Sequence, residues 1–277
     1  MDIPRDYHVL FTSSATECWE IIAQSVIDKE SYHFFNGAFG RKWFEYTQRI
    51  FPGANPLEFD LENELDPNLL PNRPDLICLT QNETSNGTQV RYSTIVELRN
   101  SFPESLLALD ATSSMAGIRL PFSAGDIWYA SVQKCFGLPS GMAVLICSPR
   151  SVERIKAKGE NQHYNSLDFI LQNADKMQTS YTPNVLGIYL LQEVMKSRKK
   201  MRVVSDTTER RMSSWVELIK DHSLFDLLVT NEAVRSSTVL AVKASPEAIT
   251  DFHVKTRASG FVLGQGYGDL KSTTFRV

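Results

Sequence analysis

Three short stretches of this sequence hold side chains that could do chemistry. In YASVQKCFGLPSG, residues 129–141, a single lysine, Lys134, follows an apolar run and precedes a loop with Gly137, Pro139 and Gly141. A lysine amine reacts only when neutral, so it needs burial or neighbours that lower its pKa. The strand end and its loop are expected to provide this. In LLALDATSSMAG, Asp110 closes an apolar strand. A carboxylate buried there needs a cationic partner or a metal. No His/Asp/Glu cluster at ligand spacing surrounds it, which argues against a metal. In LFTSSATECWE a strand passes through Ser13, Ser14, Ala15 and Thr16 into a helix. Amides at a helix N-terminus favour an anion, and small side chains let a phosphate approach the backbone.

Each stretch also has an ordinary reading: a surface lysine, a turn cap, a helix N-cap. Together they place an amine, an acid and a phosphate cradle at the carboxyl edge of one sheet, where α/β proteins bind ligands. Pyridoxal 5'-phosphate asks for those three: an amine for its aldehyde, a counter-charge for its ring nitrogen and an anion site.

The elements that must position these groups are legible as runs. YHVLFTSS, SYHFFN, DLICLTQN, LLALDAT, IWYASV and MAVLICS are short, nearly all apolar and rich in β-formers. Strands covered by helices on both faces look like this. TECWEIIAQSVID places Trp19, Ile22, Ala23, Val26 and Ile27 at helical spacing. The expected fold is α/β, with a mostly parallel central sheet flanked by helices. NPLEFDLENELDPNLLPNRPD reads as a surface excursion with at most a short helix. Thr182 and Pro183 read as the N-cap and first residue of a long helix, PNVLGIYLLQEVMKS, that ends in the solvated basic stretch KSRKKMR. After residue 200 come a polar amphipathic helix, the strand RSSTVLAVKA, a helix capped by Ser245 and Pro246, and strands near FVLG and STTFRV. The expected division is a large domain over 1–195 and a small C-terminal α+β domain over 196–277.

Composition narrows the function classes. Twenty-nine basic and 32 acidic side chains give a formal charge of −3, which does not favour nucleic acid. No apolar run is long enough to span a bilayer. The four cysteines lack metal-site spacing and read as free thiols in a reducing, cytoplasmic setting. The five histidines are scattered. GQGYG at 264–268 imitates a dinucleotide loop, but a strand-like run follows it rather than a helix. GLPSG lacks the glycine two positions before Ser140 that a nucleophile elbow needs.

SVQKCFGLPSG, LDATSSMAG, QNETSNGT, FTSSATECWE and NGAFGRKW resemble the class V aminotransferases of fold type I, over nearly the whole chain and in the same order. Within that class they are most similar to the phosphoserine aminotransferases. The resemblance implies that Lys134 forms the Schiff base and Asp110 pairs with the pyridine nitrogen. It places Phe39 where an aromatic ring stacks on the cofactor, and Ser14, Ala15 and Thr16 at the phosphate. Thr84 and Gln133 match further cofactor contacts. Thr182 matches a residue that reaches the phosphate of a neighbouring subunit, which implies a homodimer. Arg276 matches the arginine that holds the substrate α-carboxylate.

The resemblance also brings departures. Relatives carry a segment before the phosphate loop with a His-Arg pair for the substrate site, and they continue beyond the arginine strand, so this chain reads as truncated at both ends. YGDLKSTTFRV offers one lysine, Lys271, and an aspartate where phosphoserine enzymes place basic residues. Tyr181 stands where an asparagine is frequent. The implied activity is amino transfer between an amino acid of the glutamate or phosphoserine type and a 2-oxo acid. The alternatives are a non-catalytic module that keeps the fold for binding or dimerisation, and a desulfurase or lyase; the latter's mobile-loop cysteine has no counterpart here.

Overall fold

In the all-apolar strands, successive side chains point to opposite faces, and both faces find a cover. The computed structural model describes residues 1–71 and 73–277. In chain order the first half comprises β1 (His8–Thr12), α1 (Ala15–Ser25), β2 (Ser31–Phe35), α2 (Ala38–Ile50), β3 (Ala54–Glu58), β4 (Leu76–Thr80), the short hairpin strands β5 (Asn82–Glu83) and β6 (Thr88–Gln89), and α3 (Tyr92–Ser101). There follow β7 (Leu106–Asp110), β8 (Ile127–Ser131), β9 (Ala143–Cys147), α4 (Pro149–Lys158), α5 (Leu167–Ala174) and α6 (Val185–Ser197). The last part holds α7 (Met201–Lys220), β10 (Asp226–Leu227), β11 (Ala241–Lys243), α8 (Pro246–Ala258), β12 (Gly264–Gln265) and β13 (Thr274–Arg276).

The main sheet has seven strands in the order β1-β9-β8-β7-β4-β2-β3. All neighbours from β8 to β3 pair in parallel. β9 alone runs against them, between β8 and β1. The expected mostly parallel sheet is therefore present. Leu107, Leu109, Trp128, Val144 and Ile146 enter one core. Leu106, Ala108, Ile127, Tyr129, Leu145 and Cys147 enter the other, against α1, α4 and α5. Each fully buried aliphatic side chain contributes about 1.5–3 kcal/mol. The five α1-region residues expected at helical spacing are all buried.

A second, antiparallel sheet, β10-β11-β13-β12, lies wholly in the C-terminal part and packs on its own apolar cluster with Phe225, Leu240, Ile249 and Phe275. Ser245 caps α8, accepting from the Ala248 amide, with Pro246 in the first turn as expected.

Three local expectations need correction. The supposed surface excursion opens with β3, an edge strand parallel to β2. Pro56 hides it in the sequence, yet an edge strand has a free side on which a missing amide costs nothing. The rest of it holds no more than the short helix expected, a single 3₁₀ turn at Pro67–Leu69. The cap of α6 is Asn184, whose side chain accepts from the Gly187 amide at 2.9 Å, rather than Thr182. Asparagine is among the strongest caps, and Pro183 pushes the residue before it towards extended backbone. Of RSSTVLAVKA only Ala241–Lys243 is a strand; Ser236 and Thr238 are drawn instead into hydrogen bonds with Asn82 of β5 and with the Ser113 carbonyl beyond β7. Among the described residues no helix is long and apolar enough to cross a membrane, and no group of metal-ligating side chains occurs.

Candidate active site

Strand register brings the three chemical stretches to one edge. Thr80 lies opposite Asp110, Asp110 opposite Tyr129, and Ser131 and Thr12 both flank Ala143. The chain leaves β8 at Ser131 and reaches Lys134 three residues later. Gly137, with φ +75°, closes a turn in which its amide donates to the Lys134 carbonyl at 2.9 Å. A side chain at that φ would be strained, so glycine suits this turn.

Lys134 departs from expectation in one respect. It is exposed, as is Gln133, and among the described residues no hydrogen bond or ion pair engages its side chain.

Asp110 is 5% exposed. Its Oδ1 accepts from the Thr112 amide at 2.8 Å. Burial pushes its carboxyl up to about 6, against the opposing pull of the Thr112 hydrogen bonds. No cation among the described residues pairs with it, and the nearby Glu83 charge raises it further. Behind it, the buried Tyr129 hydroxyl accepts from Trp19 Nε1 at 2.9 Å. A carboxylate walled in this way suits a cationic partner from outside the chain, such as a protonated ring nitrogen.

Helix α1 begins where the anion cradle was expected. Ser14 caps it, accepting from the Glu17 amide at 3.1 Å. The Ala15 and Thr16 amides, first in the helix, have no carbonyl one turn back to bond. Glu17 turns back to accept from both the amide and the hydroxyl of Ser13, so that residue's donors are taken.

Phe39 sits in the first turn of α2, half-buried, its ring stacked on Tyr267 with centroids 4.7 Å apart. Thr84 lies in the turn of the β5–β6 hairpin. Arg276 Nη1 donates to the Thr84 carbonyl at 2.9 Å, so the two ends of the expected substrate and cofactor contacts meet. Thr182 is exposed beside Tyr181, and among the described residues no hydrogen bond joins it to the other expected residues. Tyr181 neighbours Tyr164, whose hydroxyl donates to Glu17. Burial and the Glu17 charge push the Tyr181 phenol up to about 12.

Sequence reading missed Glu83 and Tyr267. Glu83 is 1% exposed and holds the start of α2 through the amides of Phe39 and Gly40. Its signal was the acid inside NET, one place before the threonine that was singled out. Tyr267 lay inside GQGYG, a motif set aside because no helix follows it.

The buried, uncompensated acid, the lysine loop and the helix start together fit pyridoxal 5'-phosphate. The comparisons agree. The aminotransferase class-V family model matches residues 54–260. The chain belongs to the class V aminotransferases, enzymes of fold type I that depend on pyridoxal 5'-phosphate. Its similarity runs to phosphoserine aminotransferases. The one from Rhodococcus opacus is 28% identical over 99% of this chain and 75% of its own length. The one from Corynebacterium glutamicum is 29% identical over the same shares. The crystal structure of the Cytophaga hutchinsonii phosphoserine aminotransferase superposes with a TM-score of 0.92 at 30% identity, covering 100% of this chain and 78% of that one. The aspartate aminotransferase of Thermus thermophilus, at 19% identity and a TM-score of 0.85, shares the fold. The chain is thus a pyridoxal-phosphate-dependent transaminase similar to phosphoserine aminotransferase.

Proposed function

We propose that Lys134 is the amine that holds the cofactor, and that the chain moves an amino group between an amino acid of the glutamate or phosphoserine type and a 2-oxo acid. The observation that carries this is the buried Asp110 carboxylate, with no paired cation among the described residues, at the sheet edge from which the Lys134 loop departs. When bound, pyridoxal 5'-phosphate supplies a ring that withdraws electrons from the substrate amine. With the cofactor bound, the Lys134 amine would serve as the general base for the substrate Cα proton. Asp110 would keep the ring nitrogen protonated. Ser14 and the amides of Ala15 and Thr16 would hold the phosphate. Phe39 would offer its ring for stacking, and Thr84 and Gln133 would add polar contacts. The Arg276 guanidinium, with N–H groups still available, grips the α-carboxylate as a fork.

A homodimer goes with this reading. Lys134 and Thr182 lie open to solvent, and α6 presents Val185, Leu186 and Tyr189 exposed. A second copy would cover them, and Thr182 would reach its phosphate. The proposed 195/196 division cuts the last turn of α6; the non-helical residues 198–200 between α6 and α7 favour a boundary a few residues later. A cytoplasmic setting is supported by four free cysteines, three of them buried.

Borohydride reduction of the protein after incubation with pyridoxal 5'-phosphate, followed by peptide mapping, tests the reading. The label is expected on Lys134, and glutamate added before reduction should prevent it. A label elsewhere overturns the assignment. A chain that takes up no cofactor points instead to a non-catalytic binding module.

A further inference from the structure

Residues 264–268, GQGYG, lead from β12 into a 3₁₀ turn through a bend whose shape leaves little choice. A Cβ on Gly266 would come within 2.2 Å of the Leu270 carbonyl oxygen and 2.3 Å of Thr274 Oγ1. Gly268 takes φ +57°. Between these two glycines the loop projects Tyr267 out of the small sheet towards α2.

Three groups meet on that one ring. Phe39 stacks against it at 4.7 Å with planes 29° apart. Lys42 lies three positions further along α2, on the same helix face, so the ring and the ammonium can reach a common partner. Lys42 Nζ donates to the Tyr267 hydroxyl at 2.6 Å and lies 4.9 Å from the ring centre. The Arg276 guanidinium carbon is 5.8 Å from the same centre. Arg276 is further held by its Nε donating to the Gln265 carbonyl at 2.8 Å and its Nη1 to Thr84. Stacked rings and cations over an aromatic face each favour one geometry over its neighbours.

We propose that Tyr267 is a positioning residue that fixes the Arg276 guanidinium relative to the Phe39 ring, and so sets how the carboxylate of a substrate is presented to the cofactor. This rests on the roles given above to Arg276 and Phe39. One face of Phe39 is taken by Tyr267, so only the other is left for a cofactor ring. Lys42 pins the far end of the tyrosine, and Arg276 lies over the same ring. A tilt of Tyr267 therefore changes the ring-stacking surface and the carboxylate fork together.

The test uses the holoprotein and glutarate, an unreactive dicarboxylate, with two readouts: glutarate affinity from the shift it causes in the visible band, and the visible circular dichroism of the bound cofactor. Tyr267→Ala should weaken glutarate by about tenfold, equivalent to about 1.4 kcal/mol, and should change the dichroism. Tyr267→Phe keeps the stack and loses only the Lys42 bond, so it should restore the dichroism and recover part of the affinity. A folded Tyr267→Ala protein with both readouts as in wild type overturns the inference, because a merely structural tyrosine would leave them unmoved. Arg276→Lys separates the two layers. If it leaves glutarate affinity unchanged, the role of Arg276 fails and this inference falls with it. If it weakens glutarate while Tyr267→Ala does not, the inference alone falls.

Discussion

The Glu83 carboxylate accepts hydrogen bonds from the backbone amides of Phe39 and Gly40, at 3.1 and 2.9 Å. Its other oxygen accepts from the amide and hydroxyl of Ser85, at 2.9 and 2.6 Å. A buried acid thus stands where α2 has unpaired amides, and it sets the position of the expected ring-stacking residue. Gly37 makes room: a Cβ there would lie 2.4 Å from Glu83 Cγ. Glu83→Gln turns part of this acceptor into a donor facing donors. It should cost about 1.5–3 kcal/mol of stability and speed cofactor release. Denaturant unfolding and the decay of the visible band on dilution measure the two effects, and a variant as stable as wild type would remove Glu83 from this role.

Asp110 predicts a stability that depends on pH. In the cofactor-free fold its proton is held to about pH 6, whereas the ordinary value is 3.8. Between those values the folded state binds more protons than the unfolded one. The contribution of Asp110 to stability therefore falls as pH rises from about 4 to 6 and is level above that. Asp110→Asn should abolish this slope and stabilise the cofactor-free protein at neutral pH by about 1–3 kcal/mol. The same substitution should cost turnover, since it leaves the ring nitrogen without its counter-charge. Urea unfolding at pH 4.5 and 7.5 decides; an unaltered pH slope in the variant would contradict the buried-acid account.

Lys134 should separate function from folding. Its side chain is exposed and has no hydrogen-bond or ion-pair partner among the described residues. Lys134→Ala should therefore leave stability within about 0.5 kcal/mol of wild type while removing the visible band of covalently held cofactor and nearly all turnover. Thermal melts and absorbance spectra on one preparation test both halves. A band that survives the substitution would place the attachment elsewhere.

The apolar face of α6 makes the oligomeric state testable. Leu186 is 67% exposed, and a charge there should not disturb a monomer's core. Leu186→Glu is expected to shift the protein from dimer to monomer in light scattering at micromolar concentration. Wild-type protein that scatters as a monomer would overturn the proposed assembly.

What the sequence made legible follows from what each residue must satisfy. Leu106–Asp110 and Ile127–Ser131 are buried on both faces, so their apolar runs could hardly be anything but inner strands. Asp110 stood out because an acid ending such a run must face something charged. β3 was illegible because an edge strand need not be apolar throughout and can hold Pro56. The α6 start was misplaced because Thr182, Pro183 and Asn184 all suit a helix entry, and only the backbone shows that Asn184 takes the cap. Glu83 and Tyr267 were missed for another reason. Their partners, the α2 amides and Arg276, are remote in sequence, and local spacing carries no trace of such meetings. The exposure of Lys134 was misjudged because a loop that looks enclosed in a string of letters opens outwards in the single chain.

The antiparallel placement of β9 bears on how the chain is made. Thr12 lies opposite Ala143, and β1 has no other neighbour in the sheet. Translation proceeds at roughly 5–20 residues per second, so the strand that leads to the anion-cradling turn emerges long before the partner it needs. Until β9 arrives, the Leu10 and Thr12 side of that strand has no sheet neighbour on the nascent chain.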